Sequence, residues 1–173
     1  YLDNLTALRQ DAMARAFTEH GFSAGEARKI AEEAFLVFHR ARNQVTFFPG
    51  ALEVLEQLAD SYQLGALTNG NADQQQIGIA ELFTFHHSAE TIGKRKPAPD
   101  MFLAALKSAG VDASQAAHVG DHPLEDVHAA REHGMHAIWA NLIDLDWPVD
   151  LAHPRHHIHN LHELPDLVPL FDD

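Results

Sequence analysis

Residues 117–126 read Ala117-His118-Val119-Gly120-Asp121-His122-Pro123-Leu124-Glu125-Asp126. Ala117 to Val119 suits a buried strand, Gly120 to Pro123 a loop, and the run beyond it a helix reaching about His133. A strand entering a helix through a short polar loop is the unit of a doubly wound α/β fold, in which ligands gather at the carboxyl ends of the strands. Asp121 directly follows the strand. Asp126, five residues on in the first turn of the helix, returns toward the same strand end. Two carboxylates converging there suit a hard cation with oxygen ligands, Mg2+ being the usual partner of phosphate. Helix capping by an aspartate accounts for one of the acids but not for both.

The same alternation extends in both directions. Upstream come a helix over Ala51 to Asp60, a strand over Gln63 to Leu67, a loop at Thr68 to Asn71, a helix toward Ile79, a strand near Phe85 to Ser88, and a helix from Pro99 to Ala109. Downstream come strands at His136 to Trp139 and near Ile158, then a short helix from Leu161. Strands separated by helices imply right-handed crossovers and a mostly parallel sheet covered on both faces. Residues 5–42 differ: helical spacing on either side of Gly21-Phe22-Ser23 predicts a helical hairpin, with Ser23 and Glu26 as a capping box. The expected division is therefore a helical unit over residues 1–45 and an α/β core over residues 46–173.

Two further loops carry chemistry. In Leu67-Thr68-Asn69-Gly70-Asn71 a strand ends in a hydroxyl, an amide and a glycine; Thr68 Oγ1 and the following N–H groups suit a phosphoryl oxygen, although Asn-Gly is also an ordinary turn. In Gly93-Lys94-Arg95-Lys96-Pro97-Ala98-Pro99 a basic cluster stands in an acidic protein. Pro97 biases Lys96 toward extended backbone, and Pro99 suits the first turn of the next helix, so the ammonium is held at a loop-to-helix junction. The alternative is a solvated, positively charged loop.

With 173 residues, 46% of them hydrophobic, the chain suits one soluble globular unit. Lys and Arg number 12 against 25 Asp and Glu, and the net charge of −13 argues against nucleic acid as a partner. No stretch has the length and apolar character of a membrane span. The absence of cysteine fits a cytoplasmic setting. The expected partner is a small phosphorylated metabolite bound by a monomer or homodimer. Among the 14 histidines, His153, His156, His157 and His159 invite a metal reading. His157 and His159 share one face of a short strand without an evident third ligand, which favours structural or surface roles.

Thr68, Lys96 and Gly120-Asp121 with Asp126, in that order, resemble the last three motifs of the haloacid dehalogenase superfamily. The likeness extends over essentially the whole chain, with the helical hairpin similar to part of that family's cap. Ala41-Arg42-Asn43-Gln44-Val45, Leu67 to Asp73, Gly120-Asp121-His122-Pro123 and Leu161-His162-Glu163-Leu164-Pro165 look closer to the bacterial phosphatases acting on 5-amino-6-(5-phospho-D-ribitylamino)uracil in riboflavin synthesis. The resemblance implies Mg2+-dependent hydrolysis of a phosphomonoester through an aspartyl-phosphate. Thr68, Asn69, Gly70 and Lys96 would bind the phosphoryl group, Thr68, Lys96 and Asp121 would be catalytic, and Asp121 and Asp126 would hold the metal. Arg40, Arg42 and Gln44 mark where substrate selection is expected. The superfamily's first motif, Asp-x-Asp-x-Thr after a strand, does not occur; Asp3 lacks the preceding apolar strand. The expectation is a chain that starts inside the cap, with its core lacking the first strand. Two other readings stay open: a metal-independent 2-haloacid dehalogenase and a non-catalytic binding module of the same fold.

Overall fold

A computed structural model describes residues 3–171. Helices α1 (Leu5–Glu19) and α2 (Ala24–Arg42) form the expected hairpin, turning at Gly21, whose φ of 94° is one that glycine adopts without strain. Asn4 caps α1 by accepting from Ala7 N at 2.8 Å, and Ser23 and Glu26 close the capping box of α2. Ala27, Ala31 and Phe35, spaced by four residues, are the buried stripe of α2.

Among the described residues five strands follow, each paired in parallel: β1 (Gly65–Thr68), β2 (Phe85–Ser88), β3 (Ala117–Gly120), β4 (His136–Ala140) and β5 (His156–Ile158). Their helices are α3 (Ala51–Ala59), α4 (Gln74–Ile77), α5 (Ala89–Ile92), α6 (Asp100–Ala109), a π-helical turn at Pro123–His128 that runs into α7 (Ala129–Glu132), and α8 (Leu164–Leu167). β4 shows why the fold is doubly wound. Its Ala137 and Trp139 join a core with Phe102, Val127 and Met135, while Ile138 and Ala140 join a second core with Val54, Leu58, Ile158 and Leu164. Successive side chains thus enter opposite layers, each closed by helices.

The expected strands all form, with small shifts: the first begins at Gly65 rather than Gln63 and includes Thr68. The single α-helix expected after Pro123 is π-helical for its first turn, and α5 is a short helix that periodicity over four residues could not reveal. The strands fall into two sheets, β1-β2 and β3-β4-β5. Between them lies a cleft of about 290 Å³ lined by Gly65 and Leu67 of β1, Ala117 to Val119 of β3, and Leu106 and Met135. No helix among the described residues is long and apolar enough to cross a membrane.

Candidate active site

The loops after β1 and β3 and the Lys96 loop meet at one rim. Lys96 is buried, and its Nζ donates to Asp126 Oδ1 at 2.5 Å and to Leu67 O at 3.2 Å. Asp126 is buried as well and accepts from His118 Nε2 at 3.0 Å on Oδ1 and from His122 N at 3.0 Å on Oδ2. Two local features bring Asp126 there. The π-helical turn, opened by Pro123 and capped by His122 Nδ1, swings the carboxylate back over the end of β3. Gly120 then leaves the room: a Cβ at that position would overlap the carboxylate carbon of Asp126.

Burial alone pushes the Asp126 carboxyl up; the His118 hydrogen bond and the Lys96 charge outweigh it and hold the group below the ordinary carboxylate range. For His118, burial lowers the imidazole's affinity for a proton against the pull of Asp126. Because an ionised carboxylate can only accept, the Nε2 that faces it is the ring nitrogen carrying a proton. The result is an ionised carboxylate fixed by three donors, with one ammonium as its counter-charge.

Asn69 fastens the loops to one another. Its Oδ1 accepts from Lys96 N at 2.7 Å, and its Nδ2 donates to Lys96 O at 2.9 Å and Glu125 Oε2 at 2.8 Å. Glu125 in turn pairs with Arg95 Nη2 at 2.7 Å, and Arg95 N donates to Asp3 Oδ1 at 2.9 Å. Gly70 N, expected to face a phosphoryl oxygen, is instead spent on Thr68 Oγ1 at 2.9 Å, which leaves the Thr68 hydroxyl its own proton to give. Asp121 is exposed at the end of β3, where its backbone O accepts from Trp139 Nε1 at 2.9 Å.

Thr68, Asn69, Gly70, Lys96 and Asp126 are thus joined by direct bonds or adjacent residues, and Asp121 is carried to the same rim by its strand. The fit to a divalent cation is sound in kind and short in number. Asp121 is exposed, and Asp126 Oδ2 accepts one hydrogen bond against two on Oδ1. Among the described residues no three His, Asp or Glu side chains gather closely enough to hold a metal ion.

Of the residues for which selection of substrate is expected, Arg40 and Gln44 are exposed, whereas Arg42 bonds Asn71 at the joint between the hairpin and β1. His118, Asn71, Arg9, Arg95 and Glu125 were not singled out as site residues by sequence. His118 lies inside a strand among apolar residues, and the partners of the others are far along the chain. His153 stacks on Trp147, His156 meets Phe171 edge-on, and His157 meets His159 edge-on.

Comparison with known proteins adds four findings. The family model described as haloacid dehalogenase-like hydrolase matches residues 1–140. The chain is 33% identical over 136 residues to the 5-amino-6-(5-phospho-D-ribitylamino)uracil phosphatase YigB of Escherichia coli, covering 79% of this chain and 57% of that protein. It is 34% identical over 146 residues to a phosphoserine phosphatase of Thermus thermophilus, covering 81% of this chain and 59% of that one. The chain therefore spans less than three fifths of either relative. Among solved structures, a 2-haloacid dehalogenase from Pseudomonas syringae pv. Tomato DC3000 superposes with a TM-score of 0.93 at 42% identity, covering 98% of this chain and 74% of that one.

Proposed function

The chain belongs to the haloacid dehalogenase-like hydrolase family, and from that premise we propose that the whole protein hydrolyses a small phosphomonoester, with Mg2+ as cofactor. The observation that carries this reading is how Lys96 spends its donors. Two of the three N–H groups of its ammonium go to Leu67 O and Asp126 Oδ1, and the residue after Leu67 is Thr68. The third donor and the Thr68 hydroxyl are then available to one anionic group at the rim.

In this reading Thr68 binds a phosphoryl oxygen, and Lys96 offsets the charge of carboxylate and phosphate brought together. Asn69 sets Lys96 through its backbone. Asp121 and Asp126 would hold Mg2+, which when bound would supply further positive charge at the phosphoryl group. Asp126 is unsuited to attack phosphorus, since its Oδ1 is held between Lys96 and His118. The nucleophile is an aspartate on a strand that lies between β1 and β3 in the whole protein, where two parallel edges border the cleft. It forms an aspartyl-phosphate that water then hydrolyses. Residues 1–45 act as part of a helical cap over a core formed by residues 46–173.

The likeness to YigB makes 5-amino-6-(5-phospho-D-ribitylamino)uracil one substrate to test, in a role in riboflavin biosynthesis, and the phosphoserine phosphatase is similar to the same degree. The net charge of −13 supports a small anion held in one positive pocket over nucleic acid, in a monomer or homodimer. The lack of cysteine supports a cytoplasmic setting. A second reading, metal-independent dehalogenation of a 2-haloacid, is favoured by the Pseudomonas syringae structure. Asp121 weighs against it, because dehalogenases of this fold have no need of the Gly-Asp-x-x-x-x-Asp pair.

The full-length protein decides between them. Release of phosphate from a panel of phosphorylated metabolites, restored by Mg2+ after EDTA treatment, is the expected result. Halide release from 2-bromopropionate unaffected by EDTA, without phosphate release, would replace the phosphatase reading with the dehalogenase one.

A further inference from the structure

Two arginines from different helices end on the same neutral atom. Arg9 of α1 donates through Nη1 to Asn71 Oδ1 at 2.7 Å, and Arg42 at the end of α2 donates through its own Nη1 to that oxygen. Among the described residues neither guanidinium has a carboxylate partner; the arginines paired with acids are Arg28 and Arg95. Both are half-buried in a chain whose net charge is −13, so acidic partners are abundant elsewhere and lacking at this point.

The surroundings fix the pair without neutralising it. Asn71 is buried, its Nδ2 donates to Thr6 Oγ1 at 3.1 Å, and its O accepts from His39 Nε2 at 2.8 Å. The acids bonded to neighbouring segments have other partners: Glu90 accepts from Thr6 N, and Asp73 caps α4 and bonds Gln76. Arg9 also lies over the Phe38 ring, 5.2 Å from its centroid. Two like charges meeting on one amide oxygen repel each other, and a single hydrogen bond uses one of the five donors of each guanidinium. The planar forks that remain match carboxylate and phosphate oxygens.

The position matters as much as the charge. Asn71 is three residues past Thr68, and three residues span at most roughly 10 Å. Resting on the phosphomonoester reading above, we propose that Arg9 and Arg42 form an anion subsite that receives a second oxyanion, carboxylate or phosphate, at the far end of the phosphorylated substrate. Asn71 holds the two guanidinium groups in register for it.

The test compares kcat/KM of the full-length protein for matched esters: 4-carboxyphenyl phosphate against phenyl phosphate, and hexane-1,6-diol bisphosphate against 6-hydroxyhexyl phosphate. A preference of at least tenfold for the doubly anionic member of one pair, expressed in KM, is expected, and which pair shows it tells carboxylate from phosphate. In Arg9→Gln and Arg42→Gln, which keep a donor for Asn71, the preference falls toward unity. Lys variants, which keep the charge and lose the fork, replace them if thermal unfolding shows the Gln variants unfolded, and there a severalfold drop is expected. Wild-type protein without preference in either pair, or a preference that survives both substitutions, overturns the subsite. If no ester is turned over, the phosphomonoester reading has failed and calorimetric titration with malonate decides the subsite alone. Binding abolished by either substitution upholds it, and absence of binding to the wild type ends it.

Discussion

Lys96 Nζ stands 2.5 Å from Asp126 Oδ1, with the two side chains only 8% and 7% exposed. The pair ties the Lys96 loop to the π-helical turn across 30 residues, and both charges are largely withdrawn from water. Bringing both out of solvent offsets most of their attraction, so the pair adds little net stability as it stands, whereas removing one member strands the other.

Lys96→Met is accordingly expected to cost about 3–5 kcal/mol in urea unfolding, because Asp126 stays buried without its counter-charge. Lys96→Met combined with Asp126→Leu should recover much of that loss while remaining inactive. Equal stability of wild type and Lys96→Met would show that the ion pair does not form in solution.

Asp121→Asn separates chemistry from folding. The side chain is exposed, so unfolding free energy should change by no more than about 0.5 kcal/mol. Under the proposed phosphatase function, turnover by the full-length protein should fall by about 100-fold or more, with weakened dependence on Mg2+. Steady-state kinetics across a magnesium titration measure both.

Gly120→Ala places a methyl group where the Asp126 carboxylate packs on the backbone. Overpacking of this kind costs about 1–3 kcal/mol, and the displaced carboxylate should loosen Lys96. A melting temperature equal to that of the wild type would contradict the packing described.

Asn69→Asp keeps the shape and reverses the chemistry at Nδ2, setting a carboxylate against Glu125 Oε2 and Lys96 O. The expected cost is about 2 kcal/mol. Adding Glu125→Gln should return part of it, a coupling that a double-mutant cycle reads directly.

Acid sensitivity should begin well above the carboxylate range. Burial, with the charges of His136 and Arg155, holds His156 below its ordinary value, and burial does the same for His118. A histidine whose folded pKa is depressed leaves the unfolded chain with more bound protons. Its contribution is therefore complete above an unfolded pKa of about 6.5 and declines as pH falls from there toward the folded value. Unfolding free energy measured from pH 8 to pH 5 should drop, and His156→Gln should flatten part of that slope.

What could be read from the residues was whatever is local. Ser23 with Glu26, Pro123 ahead of a helix, and the alternation from Gln63 onward carry their structural meaning within a few positions, and the fold contains each. Thr68, Lys96 and Asp126 could be grouped because each sits at a strand end or a helix start, where a parallel fold gathers its loops. The sequence was silent on pairings across distance. His118 resembles any strand residue until Asp126 is seen against it, and Asn69 resembles a turn residue until Lys96 and Glu125 occupy both ends of its amide. The π-helical turn was also hidden, since it differs from an α-helix by one residue in a hydrogen bond.

The partition of the strands into β1-β2 and β3-β4-β5 leaves β1 and β3 as the edges that line one cleft. Rows of backbone amides and carbonyls on β1 and β3 border an apolar cleft, and such rows recruit any extended chain that passes. An extended segment laid into that cleft would find a hydrogen-bonding ladder on both sides, and the two sheets would then read as one continuous parallel array.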